Sequence, residues 1–409
     1  MTYSPPAADV DRARTKALIV GGIGLAGCAA GFVLARDHFF RAWLVAFMLF
    51  LSIGLGSMAA MMVQHLTGGA WGVFRRIFEA SSRTLPLLAI LFVPIALGIG
   101  TLYPWSHSDH VAADAILRHR APYLNTAFWI GRAVFFFAGW IGLAMVLNRL
   151  SRRQDSGDVS VNVSLQRWCG FGIVFWALTM TFAGIDWIMA LNPHWYSTLF
   201  GFLMIAAQGL CALAFTIIAA TFLFQREPMS GILKPYHFHD LGKLMFAFVM
   251  IWAYFNFSQY LLTFAANLAE EVPYMITRTA NGWGYLALFL ILFHFFVPWL
   301  LLLSRDTKRN PFRLVNLAIW MLIVKYADFF MMISPEFSAE GPNLHVLPAG
   351  PGGAEHVSHL FAHWVDPFAV LAIGGLWTWM FLSELKKRPL LAVGDPYLRE
   401  ALQSGGGGH

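Results

Sequence analysis

The sequence predicts an all-α integral membrane protein of ten transmembrane helices, with two tandem, parallel four-helix bundles (spans 2–5 and 6–9) between flanking spans 1 and 10. Three observations lead there. Of 409 residues, 58% are hydrophobic and 12% charged, against about 25% charged in an ordinary soluble domain. Apolar runs of roughly 20 residues, the length that crosses a bilayer, recur from end to end. A D-x-x-M-x-x-x-P phrase then closes two of these runs, as Asp186 to Pro193 and as Asp328 to Pro335. An acid inside an apolar segment is costly, so its return at a matching place points to duplication with one buried carboxylate per half.

The runs fall at residues 17–35, 42–64, 85–104, 123–148, 168–191, 198–223, 241–266, 282–304, 312–334 and 364–385. The opening MTYSPPAADVDRARTK is polar and the first run is long enough to span, so it reads as a span and not as a cleavable signal. If the N-terminus is cytoplasmic, 21 of the 28 Lys and Arg fall on the cytoplasmic side. Five (Arg36, Arg41, Arg118, Arg120 and Arg278) fall outside, and Arg132 and Lys325 lie within spans. The positive-inside rule therefore places both termini in the cytoplasm, as an even number of spans requires. The net charge of +6 reports that topology and anionic lipid headgroups, with no nucleic acid implied.

Four segments follow: 1–37, the N-terminus and span 1; 38–193, the first bundle; 194–335, the second bundle; and 336–409, an outer loop, span 10 and the cytoplasmic tail. The duplication recurs outside the acid phrase. His38-Phe39-Phe40 leads into span 2, and His194-Trp195-Tyr196 leads into span 6, 156 residues later. Leu147-Asn148-Arg149-x-Ser151-Arg152-Arg153 closes span 4, and Leu303-Ser304-Arg305-x-Thr307-Lys308-Arg309 closes span 8, again 156 later. Four spans per unit give both units the same polarity, unlike the inverted repeats of many transporters. In span 1, Gly21, Gly22, Gly24, Gly27 and Gly31 offer a face on which another helix can approach closely.

Ionisable groups within spans are few. Counting at 1.5 Å per residue puts Arg132 roughly 13 Å and Asp186 roughly 8 Å below the outer boundary, so the two can pair across spans 4 and 5. That pair either fixes helix register or handles protons or quinol near the outer face, with His194 just beyond it. In the second unit, Lys325 and Asp328 share a helix face, His294 sits near mid-membrane, and Gln259 and Tyr260 lie in the outer half of span 7. Such a set either conducts protons or forms a neutralised structural cluster. His65 and Glu79 flank the loop after span 2, where a solvated setting is expected, although either could open a proton entry. The outer loop carries His345, His356, His359 and His363, whose spacing suggests a metal only weakly; an exposed helix is the plainer reading. Trp195, Tyr196 and Tyr274 are expected in an interfacial aromatic belt.

Cys28, Cys169 and Cys211 show no C-x-x-C spacing, so disulfide, zinc and iron–sulfur frameworks are unsupported. No C-x-x-C-H, Walker A loop or dinucleotide fingerprint occurs, and only His294 lies at a depth suited to a bundle haem. Any redox centres of a complex containing this chain are therefore expected in other subunits.

The span count and order resemble the NrfD-like (polysulfide-reductase membrane subunit) family over nearly the whole chain. FAGIDWIMALNPHWYSTLFG (182–201) and YFNFSQYLLTFAANLAEEVPYMITR (254–278) are similar to the F-type membrane subunits of alternative complex III, the bacterial quinol:cytochrome c (or oxidase) oxidoreductase. The resemblance implies a subunit of the bacterial inner membrane that binds no cofactor directly, other than contact with quinone or quinol. Implied partners are a paralogous NrfD-like quinol-binding subunit, an iron–sulfur subunit, haem c subunits and a terminal oxidase. It carries proton or quinol handling onto Asp186 and Arg132, and proton handling onto His294, Lys325 and Asp328. Two other readings of the residues stand beside it. One is a secondary transporter using the Lys/Asp/His cluster, which should show paired helix interruptions at equivalent places of the two halves; Pro94 has no counterpart in span 7. The other is a pure scaffold.

Overall fold

The computed structural model describes residues 3–158, 160–268, 271–338, 341–342 and 359–403. Among them, ten helices are long and apolar enough to cross a membrane. In chain order, spans 1–5 are Ala7–Leu34, Arg36–Thr67, Trp71–Leu97, Thr126–Asp155 and Val161–Leu191. Spans 6–10 are Phe200–Phe224, Pro235–Ala266, Trp283–Leu303, Pro311–Glu336 and Val365–Leu385. A two-residue antiparallel pairing of Phe337–Ser338 with Gly341–Pro342 follows span 9.

Span 2 is apolar on every side and has 89% of its most apolar stretch buried, against 22% for spans 1 and 8. A helix without a polar face belongs in the core, and span 2 duly touches spans 1, 3, 5, 6, 9 and 10. Spans 2 and 6, the first helices of the two units, pack on each other. Each also packs on the last helix of its own unit and on the last helix of the other, so the contacts are reciprocal. Their close approach needs Gly56, where a Cβ would lie 2.1 Å from the Gln208 carbonyl oxygen. Span 1 lies on span 10 through the glycine face read from the sequence, and a Cβ on Gly24 would meet the Ala372 backbone nitrogen at 2.1 Å.

Residue 3 and residue 390 share one end of the bundle, the proximal end. There the Leu390 N–H donates to the Tyr3 carbonyl at 2.7 Å and Lys386 donates to Asp11 at 2.7 Å. The opposite end is the distal end.

Span 3 corrects the sequence reading most. Its helix begins at residue 71 instead of 85, because Arg75, Arg76 and Glu79 are helical and buried. Hydropathy missed them: a charged turn reads as loop unless its partners are known. The far end stops at Leu97, since a turn at Gly98 interrupts it and only a short helix, Ile99–Leu102, follows. His65 and Glu79 therefore do not flank a solvated loop; both are buried. Arg41 and Arg278, counted on the outer side of the membrane, are buried. Arg41 donates to Ser334 at 2.8 Å and Asp366 at 2.6 Å, and Arg278 donates to Glu336 at 2.9 Å. Of the outer-loop histidines, His345 and His356 lie outside the described residues, and His363 stacks on His38 with centroids 4.1 Å apart.

Candidate functional site

The two acid phrases place one carboxylate each near the distal end, and the two are neutralised differently. In the first unit, Asn125 caps span 4 by accepting from the Phe128 N–H at 2.9 Å. This fixes Trp129 and Arg132 one turn apart on one face. The Trp129 indole N–H donates to the Asp186 backbone carbonyl at 2.9 Å. The Arg132 guanidinium forks onto the carboxylate, Nε to Oδ2 at 2.7 Å and Nη2 to Oδ1 at 3.0 Å. Its third nitrogen, Nη1, donates to the Tyr123 carbonyl at 3.0 Å. Aromatic rings flank the cation, Tyr123 at 3.9 Å and Phe128 at 4.3 Å. Both carboxylate oxygens are thus held by one planar donor, the strongest form of such a pair. Burial pushes the Tyr123 hydroxyl above the ordinary tyrosine value, and the nearby Asp186 carboxylate adds to this.

In the second unit, Asp328 takes its counter-ion from its own helix, Lys325 Nζ lying 2.7 Å from Oδ2. The Trp252 indole N–H donates to the same oxygen at 3.2 Å. His294 stacks on Trp252 with centroids 3.9 Å apart. Its imidazole is fully buried, and neither ring nitrogen has a hydrogen-bond partner among the described residues. The local backbone explains how the ring comes to be there. In an α-helix the His294 carbonyl would accept from residue 298, which is proline and has no N–H. The helix widens instead into a π-turn over Ile291–Phe296, and the Phe293 carbonyl accepts from the Trp320 indole at 3.0 Å. Such π-turns mark functional positions unusually often.

The remaining site candidates separate from these clusters. Gln259 accepts a short hydrogen bond from Ser197 and faces Thr263. Tyr260 is half exposed and stacks on Phe264, so neither reaches Asp328. His194 pairs with Asp114 at 2.5 Å, between the loops that precede spans 4 and 6. Trp195 is no belt residue: it is buried and stacks on Tyr274 at 3.6 Å, and only Tyr196 among the three is exposed. A cleft of about 530 Å³ opens here, lined by Tyr123, Ile185, Met189, Pro193 and Trp195 with Arg120 at its edge. Asp186 and Arg132 lie behind its Tyr123 wall.

A third cluster, at the proximal end, escaped the sequence reading. Glu79 accepts from Arg75 at 2.9 Å, Arg76 at 2.6 Å, Arg388 at 2.7 Å and Ser151 at 2.6 Å. Arg75 also reaches Asp395 at 3.1 Å, where Gln64 donates at 3.1 Å, and Arg76 donates through Nη2 to both Asp155 oxygens. Burial brings the Arg388 guanidinium down to about 10, Glu79 opposing and Arg83 and Arg76 adding, so it stays protonated at neutral pH. The i,i+4 spacing of Arg75 and Glu79 was the available signal; nothing in the sequence reveals that Arg388 and Asp395 return to it. His65, Gln154 and Asn162 border a polar cavity of about 180 Å³ beside Asp395. No group of three metal-ligating side chains occurs among the described residues. The chain matches no protein-family model and no curated protein.

Proposed function

We propose that this chain is a membrane subunit of a quinol:cytochrome c or quinol:oxidase oxidoreductase, in which the second helical unit relays protons and the bundle seats redox-active partners. The observation that carries the reading is the buried run Lys325, Asp328, Trp252 and His294, ending on an imidazole with two open nitrogens. A titratable ring in hydrocarbon surroundings, adjoining a carboxylate and an ammonium, is the composition that proton-handling membrane proteins use. Segments 182–201 and 254–278, similar to the F-type subunits of alternative complex III, supply the kind of complex. Electron transfer would then belong to haem c and iron–sulfur partners, and this chain would be no enzyme by itself.

The transporter reading gains little. Span 3 is broken near Pro94 and span 8 widens before Pro298, yet their counterparts, spans 7 and 4, run on as single helices. The interruptions are not paired. A second role, quinol binding, is favoured by one observation: the apolar distal cleft carries the Trp195 indole N–H, buried and without a partner among the described residues.

Purified protein in vesicles with an internal pH dye tests the first role. A potential imposed with valinomycin should drive acidification in wild type. Flux should fall at least tenfold in D328N and H294F variants that keep the wild-type unfolding temperature. Equal flux in all three would remove the proton reading. Quenching of tryptophan emission by a short-chain quinone, lost in W195F, tests the second.

A further inference from the structure

Many of the proximal cations are paired, and some are not. Arg75, Arg76, Arg83, Arg388, Arg226 and Lys386 are each engaged by a carboxylate. The turn between spans 8 and 9 behaves otherwise. Its short helix, Arg305–Arg309, carries Arg305, Lys308 and Arg309, none of which forms an ion pair among the described residues. This helix packs against span 7, which brings a fourth cation, Lys243. Among the described residues, Asp240, 3.0 Å from Lys243, and the exposed Asp306 offset the four.

Lys308 is held in place. A Cβ on Gly242 would lie 2.8 Å from Lys308 Cγ, so the stem lies in the notch that the glycine leaves. Its ammonium sits 5.9 Å from the Phe246 ring. Burial lowers its pKa, and the neighbouring charges of Lys243 and Arg305 lower it further. Four cations against two carboxylates leave a net positive charge around the notch, which a bound anion relieves. Directly adjoining is an apolar surface: Leu300, Leu301, Leu303, Met250 and Phe312 are all exposed.

We infer that Lys243, Arg305, Lys308 and Arg309 form a binding site for the phosphate headgroup of an anionic phospholipid, whose acyl chains lie on the exposed apolar side of spans 7 and 8. The shared demand for a phosphodiester and a hydrocarbon chain selects a lipid over a soluble anion, since the cations stand at the edge of a hydrocarbon-facing wall. The equivalent turn of the first unit differs in a telling way. Arg149 and Arg152 recur there, but Arg153 is bound to Asp158 at 2.7 Å, and the residue 156 positions before Lys243 is Leu87.

Native mass spectrometry of the full chain, released from micelles containing phosphatidylglycerol and phosphatidylcholine, tests the site. Wild type should retain phosphatidylglycerol in preference to phosphatidylcholine. The K243Q/R305Q/K308Q/R309Q variant should bind it at least about tenfold more weakly, whereas R149Q/R152Q, which removes rim charge elsewhere, should bind as wild type. A milder variant, G242V, should displace the Lys308 stem and weaken retention without changing net charge. Added inorganic phosphate should leave the lipid in place. Equal loss in R149Q/R152Q, retention in the fourfold variant, or displacement by inorganic phosphate would overturn the assignment.

Discussion

Asp186 and Asp328 occupy corresponding places in two similar units, yet the first is locked and the second is left adjustable. Asp186 is bound through both oxygens by a single rigid guanidinium that arrives from a neighbouring helix and is clasped by two rings. Asp328 is bound through one oxygen by a flexible ammonium from its own helix, with an indole as second donor. An arginine fork cannot give up its proton and has little freedom to swing, whereas a buried lysine can do both. The difference teaches that a repeated motif fixes where a carboxylate goes, and the counter-ion decides what it can do there.

The largest expected effect breaks the locked half. R132M leaves a fully buried carboxylate without its donor, which should cost about 3–5 kcal/mol in equilibrium unfolding in mild detergent. R132M/D186N should regain most of it. An R132M protein as stable as wild type would show that the fork is not what holds spans 4 and 5 together. In the adjustable half, K325M should cost about 3 kcal/mol, because Asp328 keeps the Trp252 donor, and D328N should rescue it. W252F comes next: loss of a single long hydrogen bond to a charged group should cost about 1–2 kcal/mol. On the proposed relay it should also lower proton flux in the vesicle assay, while leaving the Arg132 pair untouched.

The smallest effect concerns the rim. Burial raises the Asp114 pKa, but the hydrogen bond from His194 and the Ile116 N–H outweigh it, and the carboxyl ends below its ordinary 3.8. A depressed acid contributes stability that is present above the unfolded value and is lost as pH falls through the folded one. The contact between these two loops should therefore survive mild acid and loosen only below about pH 4. D114N should abolish that acid step, which amide exchange of residues 114–117 would detect.

Legibility in the sequence followed the range of the interaction. The spans were readable because each is a local run of apolar residues, and the Lys325–Asp328 pair because it lies within one helical turn. The Arg132–Asp186 pair was reachable by depth counting, since both residues sit on adjacent long helices. By contrast, Arg41 meets Asp366 across 325 residues, and Arg388 meets Glu79 across 309. No local pattern announces such meetings, so both arginines looked like ordinary loop charges. The start of span 3 failed for the same reason: its charges are tolerable in a buried helix only because distant groups complete them. Gln259 and Tyr260 were legible as outer-half residues of span 7, but their partners, Ser197 and Phe264, were not.

The contact between span 1 and span 10 also has a bearing on how the protein is made. Gly24 emerges from the ribosome roughly 350 residues before Ala372, the residue against which it rests. At ordinary synthesis rates, that interval lasts roughly 20–70 s. Throughout it, a helix with a bare glycine groove must wait in the bilayer with its future neighbour unmade. An insertion helper or a placeholder lipid that shields this groove would raise the yield of the finished bundle, and crowding the groove would tell during synthesis before it told in the mature protein.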